Sequence, residues 1–170
     1  SKYERFRSLK AILGLWIERE VFVSRLNVLG FSDKRSASYD IKPVFTMIPK
    51  ARNDLLIFIE LNGENATVVK NKVSALLSES GIALSDSRHG SHVMVEGNVQ
   101  VVPVDLRNPD WEFARATVSL SVIDLNTGLS LGEISESMRA GHLTYEEAVH
   151  KAVKKVSEPV SIKVLKYFED

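Results

Sequence analysis

The sequence predicts an α+β protein: a two-layer sandwich in which a mostly antiparallel sheet carries two helices on one face, with a helical N-terminal extension. Three observations lead there. Ala114, Ala116, Val118, Leu120 and Val122 alternate with Arg115, Thr117, Ser119, Ser121 and Ile123, the period of a strand with one buried face. Two segments, 66–77 and 145–156, each carry a single apolar stripe at helical spacing. From residue 55 onward the elements read β-α-β-β-β-β-α, and one-faced helices beside a meander bury their stripes in two layers.

The first helix covers 3–18, where Tyr3, Phe6, Leu9, Leu13, Trp16 and Ile17 recur at three and four. Residues 20–29 turn β-branched, with Val21, Val23 and Val28, and read as a strand; the alternative is a helix continuing to Leu29. A polar loop fills 32–37. Tyr39, Ile41 and 44–48 read as an extended edge segment, because Pro43 removes a ladder donor. A polar connection follows over 49–54. Residues 1–50 are thus an N-terminal extension of helix and extended segments packed on a core of 51–170.

The core opens with the most apolar short run, 55–61, which suits a central strand buried on both faces. Asn62, Gly63, Glu64 and Asn65 make a turn and offer an N-cap. The next helix buries Ala66, Val69, Val73, Leu76 and Leu77 and stops at Gly81. A short strand over 82–84 and a loop over 86–91 lead to a strand in which Val93, Val95, Val99 and Val101 alternate. Val102, Val104 and Leu106 take the opposite parity, which predicts a bulge near 101–103. A turn over 106–109 enters a long hairpin over 111–138. Its own turn has Asp124 to accept amides two and three residues on, and Gly128 to close in the left-handed region. The last helix starts at a capping box, Thr144 with Glu147, and carries Tyr145, Ala148, Val149, Ala152, Val153 and Val156 on one stripe. Pro159 predicts a kink or interruption, after which Val160, Val164 and Phe168 resume the spacing.

Composition bounds the chemistry. The 170 residues hold 22 Lys plus Arg against 22 Asp plus Glu. That balance leaves no global footprint for nucleic acid or anionic membrane. There is no cysteine, so thiolate chemistry and disulfides are excluded. The apolar runs over 11–17 and 21–23 are too short to span a bilayer. The chain opens at Ser1 without methionine, which predicts a trimmed N-terminus.

His89 and His92, beside Asp86, are the one cluster of metal-ligand types. Two imidazoles need further ligands to hold a transition metal, and none stands nearby, so no metal and no cofactor is expected. Glu133 with Glu136, and Glu146 with Glu147, could pair as acid and base, but solvent-facing strand positions and helix N-terminal electrostatics account for them. Gly-x-Gly and Gly-Lys-Ser/Thr phosphate loops are missing from the sequence. Trp111 and Phe113 next to Arg107 and Arg115 could stack a ligand, although strand-end packing explains them as well.

Two segments carry a family likeness. One is Ser-His-Val-Met-Val-Glu-Gly over 91–97, a strand ending in Glu-Gly. The other is the run over 114–128 with its Asp-Leu-Asn-Thr-Gly turn, followed by a return strand and Leu-Thr-Tyr-Glu-Glu-Ala over 143–148. Together they resemble the small α/β domain of bacterial envelope lipoproteins, a group with flagellar-assembly and curli-secretion lipoproteins, penicillin-binding-protein activators and the TolB N-terminal domain. The likeness covers about 55–168 and not the first 50 residues. It implies a non-catalytic assembly factor or scaffold in the cell envelope, on the periplasmic side, that binds a protein partner, self-association included. It also implies an export signal and a lipid-anchor cysteine upstream of Ser1, the one expected tie to membrane; the alternative location is the cytoplasm.

The residues expected to meet the partner are Phe6, Leu9, Leu13 and Trp16 on the extra helix; if that stripe instead packs on the domain's own sheet, the partner is expected at the loops of Arg88 and Trp111. Two other functions compete. An α-β-β-β-α order over 66–156 is also that of double-stranded-RNA-binding domains, but those need lysines at the start of the last helix, where Glu146 and Glu147 stand. A metal-dependent hydrolase would have to use His89 and His92.

Overall fold

The computed structural model describes residues 1–31, 40–105 and 110–169. They form two compact units, one of Lys2–Asp54 and one of Leu55–Asp170 together with Ser1. The loop over 32–37, Tyr39, Leu106, Arg107 and the turn over 106–109 lie outside the described residues.

The smaller unit is two helices, α1 (Lys2–Val28) and α2 (Lys42–Asn53). The strand expected over 20–29 is therefore corrected, and the continued helix holds. Leu9, Leu13, Trp16, Val23 and Leu26 are all half-buried, so one packing stripe runs past Glu20 and overrides the low helix propensity of the valines. The Gly30 amide donates to the Asn27 carbonyl and the Phe31 amide to the Leu26 carbonyl, with Gly30 at φ 83°. That is a Schellman stop, and it dates the end of the helix to Gly30.

The extended segment over 44–48 and the polar connection from 49 are corrected as well, since residues 42–53 form α2. Pro43 sits in the first turn of α2, where its missing N–H would have had no partner anyway. The Asp40 carboxylate takes the Lys42 amide at 3.1 Å. The two helices meet through Trp16 and Phe45, ring edge to ring face, with centroids 6.1 Å apart.

The larger unit is the predicted α+β sandwich. Its strands are β1 (Leu56–Gly63), β2 (Ala83–Ser85), β3 (Val93–Pro103), β4 (Glu112–Asp124) and β5 (Ser130–His142), and its helices α3 (Ala66–Glu79) and α4 (Tyr145–Glu169). The sheet is open, in the order β2-β1-β3-β4-β5. β1 pairs parallel with β2 and with β3. The long ladders, β3 with β4 and β4 with β5, are antiparallel.

β1 is an interior strand, but only its Ile57 and Ile59 are buried, while Leu56 and Phe58 on the other face are half-exposed. Both helices lie on the Ile57 side. α3 buries Ala66, Val69, Val73 and Leu77. Its N-cap Asn65 takes φ 61° and makes no side-chain cap bond, so the expected cap is a backbone one. α4 buries ten residues from Ala148 to Phe168 against β4 and β5. It runs through Pro159 as one element, which corrects the expected interruption: Val160 and Val164 are both fully buried and Phe168 likewise, and that packing outweighs the lost bond. At its start the Thr144 hydroxyl accepts the Glu147 amide.

The bulge expected near 101–103 is absent: the β3–β4 register runs unbroken from Val93 opposite Asp124 to Pro103 opposite Ala114. Val102 simply faces the open side of the sheet and is exposed. The irregularity falls instead between Val122 and Ile123 in the β4–β5 ladder. Gly97 explains the Glu-Gly ending of the β3 motif. A Cβ there would sit 2.1 Å from the Ser119 carbonyl oxygen and 2.7 Å from Leu120 Cδ2, so the close approach of β3 to β4 requires glycine.

Candidate functional site

His89 is exposed in the loop after β2. His92 is not available beside it. Its Nδ1 accepts the Leu56 amide at 2.9 Å, while its own amide donates to the Leu56 carbonyl at 2.8 Å and its carbonyl accepts the Leu125 amide. The second imidazole of the suspected pair is thus a structural clasp between the starts of β1 and β3 and the hairpin turn. Among the described residues no group of three or more His, Cys, Asp or Glu is placed to hold a metal.

Arg88, His89, Gly90, Ser91 and Leu125 line an open depression at that end of the sheet. A second one, at the N-termini of α3 and α4, is lined by Glu64, Asn65, Tyr145, Glu146, Glu147, Val149 and His150. Its three carboxylates repel anions from the helix N-termini that would otherwise attract them. Asp124 is buried but spoken for: its carboxylate accepts the Asn126 and Thr127 amides at 2.9 and 3.3 Å. Its work is to build the hairpin turn.

The residues expected at a partner surface separate sharply. Phe6 is 1% exposed, and Leu9, Leu13 and Trp16 are half-buried, because they form the packing stripe of α1. Besides Ile12, Ile17, Val21 and Val28, the exposed apolar side chains there are three at one spacing: Leu15 at 67%, Phe22 at 61% and Leu29, just past the helix end, at 71%. They recur every seven residues, a second stripe legible in the sequence once the helix is extended to 28. Arg88 is exposed. Trp111 is 44% exposed. Phe113 lies across Gly141, its ring 2.4 Å from where a Cβ would stand, so it is packing rather than a free stacking platform.

On the open face of the sheet Arg115 stands directly opposite Arg139. Both are exposed, and Thr117 and Ser137 beside them share a 3.1 Å hydroxyl contact. Like charges in that position are unfavourable.

No family model matches the chain, and no curated protein does. Solved structures of similar backbone include bacterial proteins. A minor lipoprotein from Acinetobacter baumannii is 11% identical over 66% of this chain and 89% of its own, with a TM-score of 0.49. The rare lipoprotein B from Shewanella oneidensis is 11% identical over 65% and 91%, with a TM-score of 0.47. The PelC dodecamer from Paraburkholderia phytofirmans is 10% identical over 69% and 91%, also at 0.47.

Proposed function

We propose that this protein is a non-catalytic component of the bacterial cell envelope that acts in assembly by binding another protein, through the exposed face of α1. The observation that carries the reading is the stripe of Leu15, Phe22 and Leu29, each more than half exposed. Aligned large apolar side chains on a surface mark a contact site. The sequence likeness to envelope lipoprotein domains supports the location, on the periplasmic side with a lipid anchor upstream. The narrower kinship, with flagellar and curli lipoproteins, penicillin-binding-protein activators and the TolB N-terminal domain, rests on the same motifs. In this reading the core over 51–170 is the folded scaffold and the extension over 1–50 presents the contact.

Phosphate binding is disfavoured by charge. A double-stranded-RNA reader needs cations on the first turn of its last helix, and α4 starts with Glu146 and Glu147, both exposed.

The test is Leu15→Glu with Phe22→Glu in the full chain, expressed in its native host. A protein recovered with the wild type from the envelope fraction should be lost with this double variant. It should be retained with Ile162→Glu, a control on exposed Ile162 of α4. Circular dichroism should be unchanged in both. Retention by the double variant, or recovery of the wild type from cytosol alone, overturns the reading.

A further inference from the structure

β5 is an edge strand of thirteen residues, paired on one side with β4. Long edges invite another strand, and natural sheets usually blunt them with proline or with charge. β5 contains no proline, and its charges are Glu133, Glu136 and Arg139.

The direction of its free backbone groups follows from the register. The Val104 amide donates to the Phe113 carbonyl, so the odd residues of β4 turn their backbone toward β3 and the even ones toward β5. Pro103, which lacks an N–H, falls opposite even-numbered Ala114, as that phase requires. Even residues of β4 oppose even residues of β5 from Glu112 with His142 to Val122 with Gly132. Between Gly132 and His142 the outward donors and acceptors of β5 therefore belong to Glu133, Ser135, Ser137, Arg139 and Gly141.

We propose that β5 pairs antiparallel with β5 of a second copy of this chain, about a two-fold axis at Glu136. In that register Glu133 faces the second copy's Arg139, and Arg139 faces the second copy's Glu133. Ser135 faces Ser137 in both directions. All four are outward-pointing residues, so every one makes ladder hydrogen bonds. Sliding the register by two residues either way sets Arg139 against Leu131 or Ser135 and leaves Glu133 uncompensated. The complementarity selects one alignment.

Two further features fit. Arg139 already stands beside Arg115, and the incoming Glu133 supplies the anion that this pair lacks. On the helix face the two copies of Glu136 oppose each other at the axis, but each is ion-paired with its own Lys163. Met138, 36% exposed, meets the second copy's Ile134. The contact is isologous, the commonest kind in soluble oligomers. It joins two open sheets into one and uses none of the α1 residues.

Sedimentation velocity on the full chain tests this. The expected result is a monomer–dimer equilibrium. Glu133→Arg alone, and Arg139→Glu alone, each replace two attractive pairs by two repulsive ones and should weaken the dimer about tenfold or more. The combined Glu133→Arg and Arg139→Glu chain restores both pairs and should dimerise like the wild type. Because the chain has no cysteine, Glu136→Cys introduces a single thiol at the axis, where facing residues are close enough for a disulfide. It should cross-link on mild oxidation, and Phe22→Cys should not. A monomer at every concentration overturns the proposal. So does a dimer indifferent to the single charge changes, or cross-linking through Phe22→Cys in place of Glu136→Cys.

Discussion

His92 and Leu56 are joined by two hydrogen bonds, one through the imidazole and one through the backbone. The Leu56 amide donates to Nδ1 at 2.9 Å, and the His92 amide donates to the Leu56 carbonyl at 2.8 Å. The ring thus extends a parallel ladder by one rung that the backbone alone could not supply. His92→Phe keeps the bulk but strands the Leu56 N–H, and should cost about 1–3 kcal/mol. His92→Asn offers an amide oxygen near the position of Nδ1 and should recover part of that. Urea unfolding monitored by circular dichroism gives both values. Equal losses for Phe and Asn would show that the ring packs rather than accepts.

The same bond bears on metal. An imidazole whose Nδ1 lone pair is committed to an amide, with a single exposed neighbour in His89, is half a site at most. Elemental analysis of the purified protein should find no stoichiometric zinc, nickel or copper. One metal per chain, lost in a His89→Ala and His92→Ala double variant, would revive the hydrolase reading.

Where the sequence was readable, a periodicity and a stop signal agreed. Residues 114–123 alternate without a break and end at Asp124 and Gly128, and β4 and its turn came out as read. Where it misleads, two local signals compete. The valines of 20–29 suggested a strand, although Leu9, Leu13, Trp16, Val23 and Leu26 continue one helical stripe and Gly30 marks its end. Pro43 suggested an edge strand, although a proline two residues after Ile41 and three after Asp40 suits a first helical turn equally. The site was less legible than the fold. Register is invisible in a single sequence, so neither the Arg115–Arg139 pair nor the clasp of His92 on Leu56 could be read from spacing. Phe6 and Leu9 looked like a surface because the helix face that packs and the face that does not are both apolar in α1.

Two glycines should respond for different reasons. Gly97 has an ordinary backbone conformation but no room, with the Ser119 oxygen 2.1 Å from a would-be Cβ. Gly128 has open space but φ 71°. Gly97→Ala should therefore destabilise by about 1–3 kcal/mol or more through steric overlap between β3 and β4. Gly128→Val should cost about 1–2 kcal/mol through strain at positive φ, and Gly128→Asn much less. Denaturant midpoints check both. An unchanged midpoint for Gly128→Val would mean that the turn re-forms in another shape.

Burial sets a third contrast, on α4. Val153 is 1% exposed, and Lys151, two residues earlier, is exposed. Val153→Asp places an unpaired charge in the apolar layer and should leave the chain unfolded or aggregated. Lys151→Ala should be nearly silent in a thermal melt. Similar melting of the two variants would mean that the packed face of α4 has been assigned wrongly.

Pro159 offers the sharpest test of how α4 is held. It is half-buried inside a helix of 25 residues, where it removes the bond to the Lys155 carbonyl and crowds that carbonyl with its ring. Two buried serines flank it, and both turn their hydroxyls back on the helix: Ser157 donates to the Lys154 carbonyl and Ser161 to the Glu158 carbonyl, each at 2.8 Å. The helix persists because Val156, Val160 and Val164 remain on one buried stripe across the proline. Pro159→Ala restores the missing donor, worth about 3 kcal/mol at an unstrained interior position, but also frees the unfolded chain by about 0.4–1 kcal/mol. The net expectation is a more stable protein, by roughly 2 kcal/mol, read as a higher urea midpoint with an unchanged slope. A midpoint that falls would show that the local geometry around Pro159 is itself needed to seat Val160, Val164 and Phe168 against the sheet.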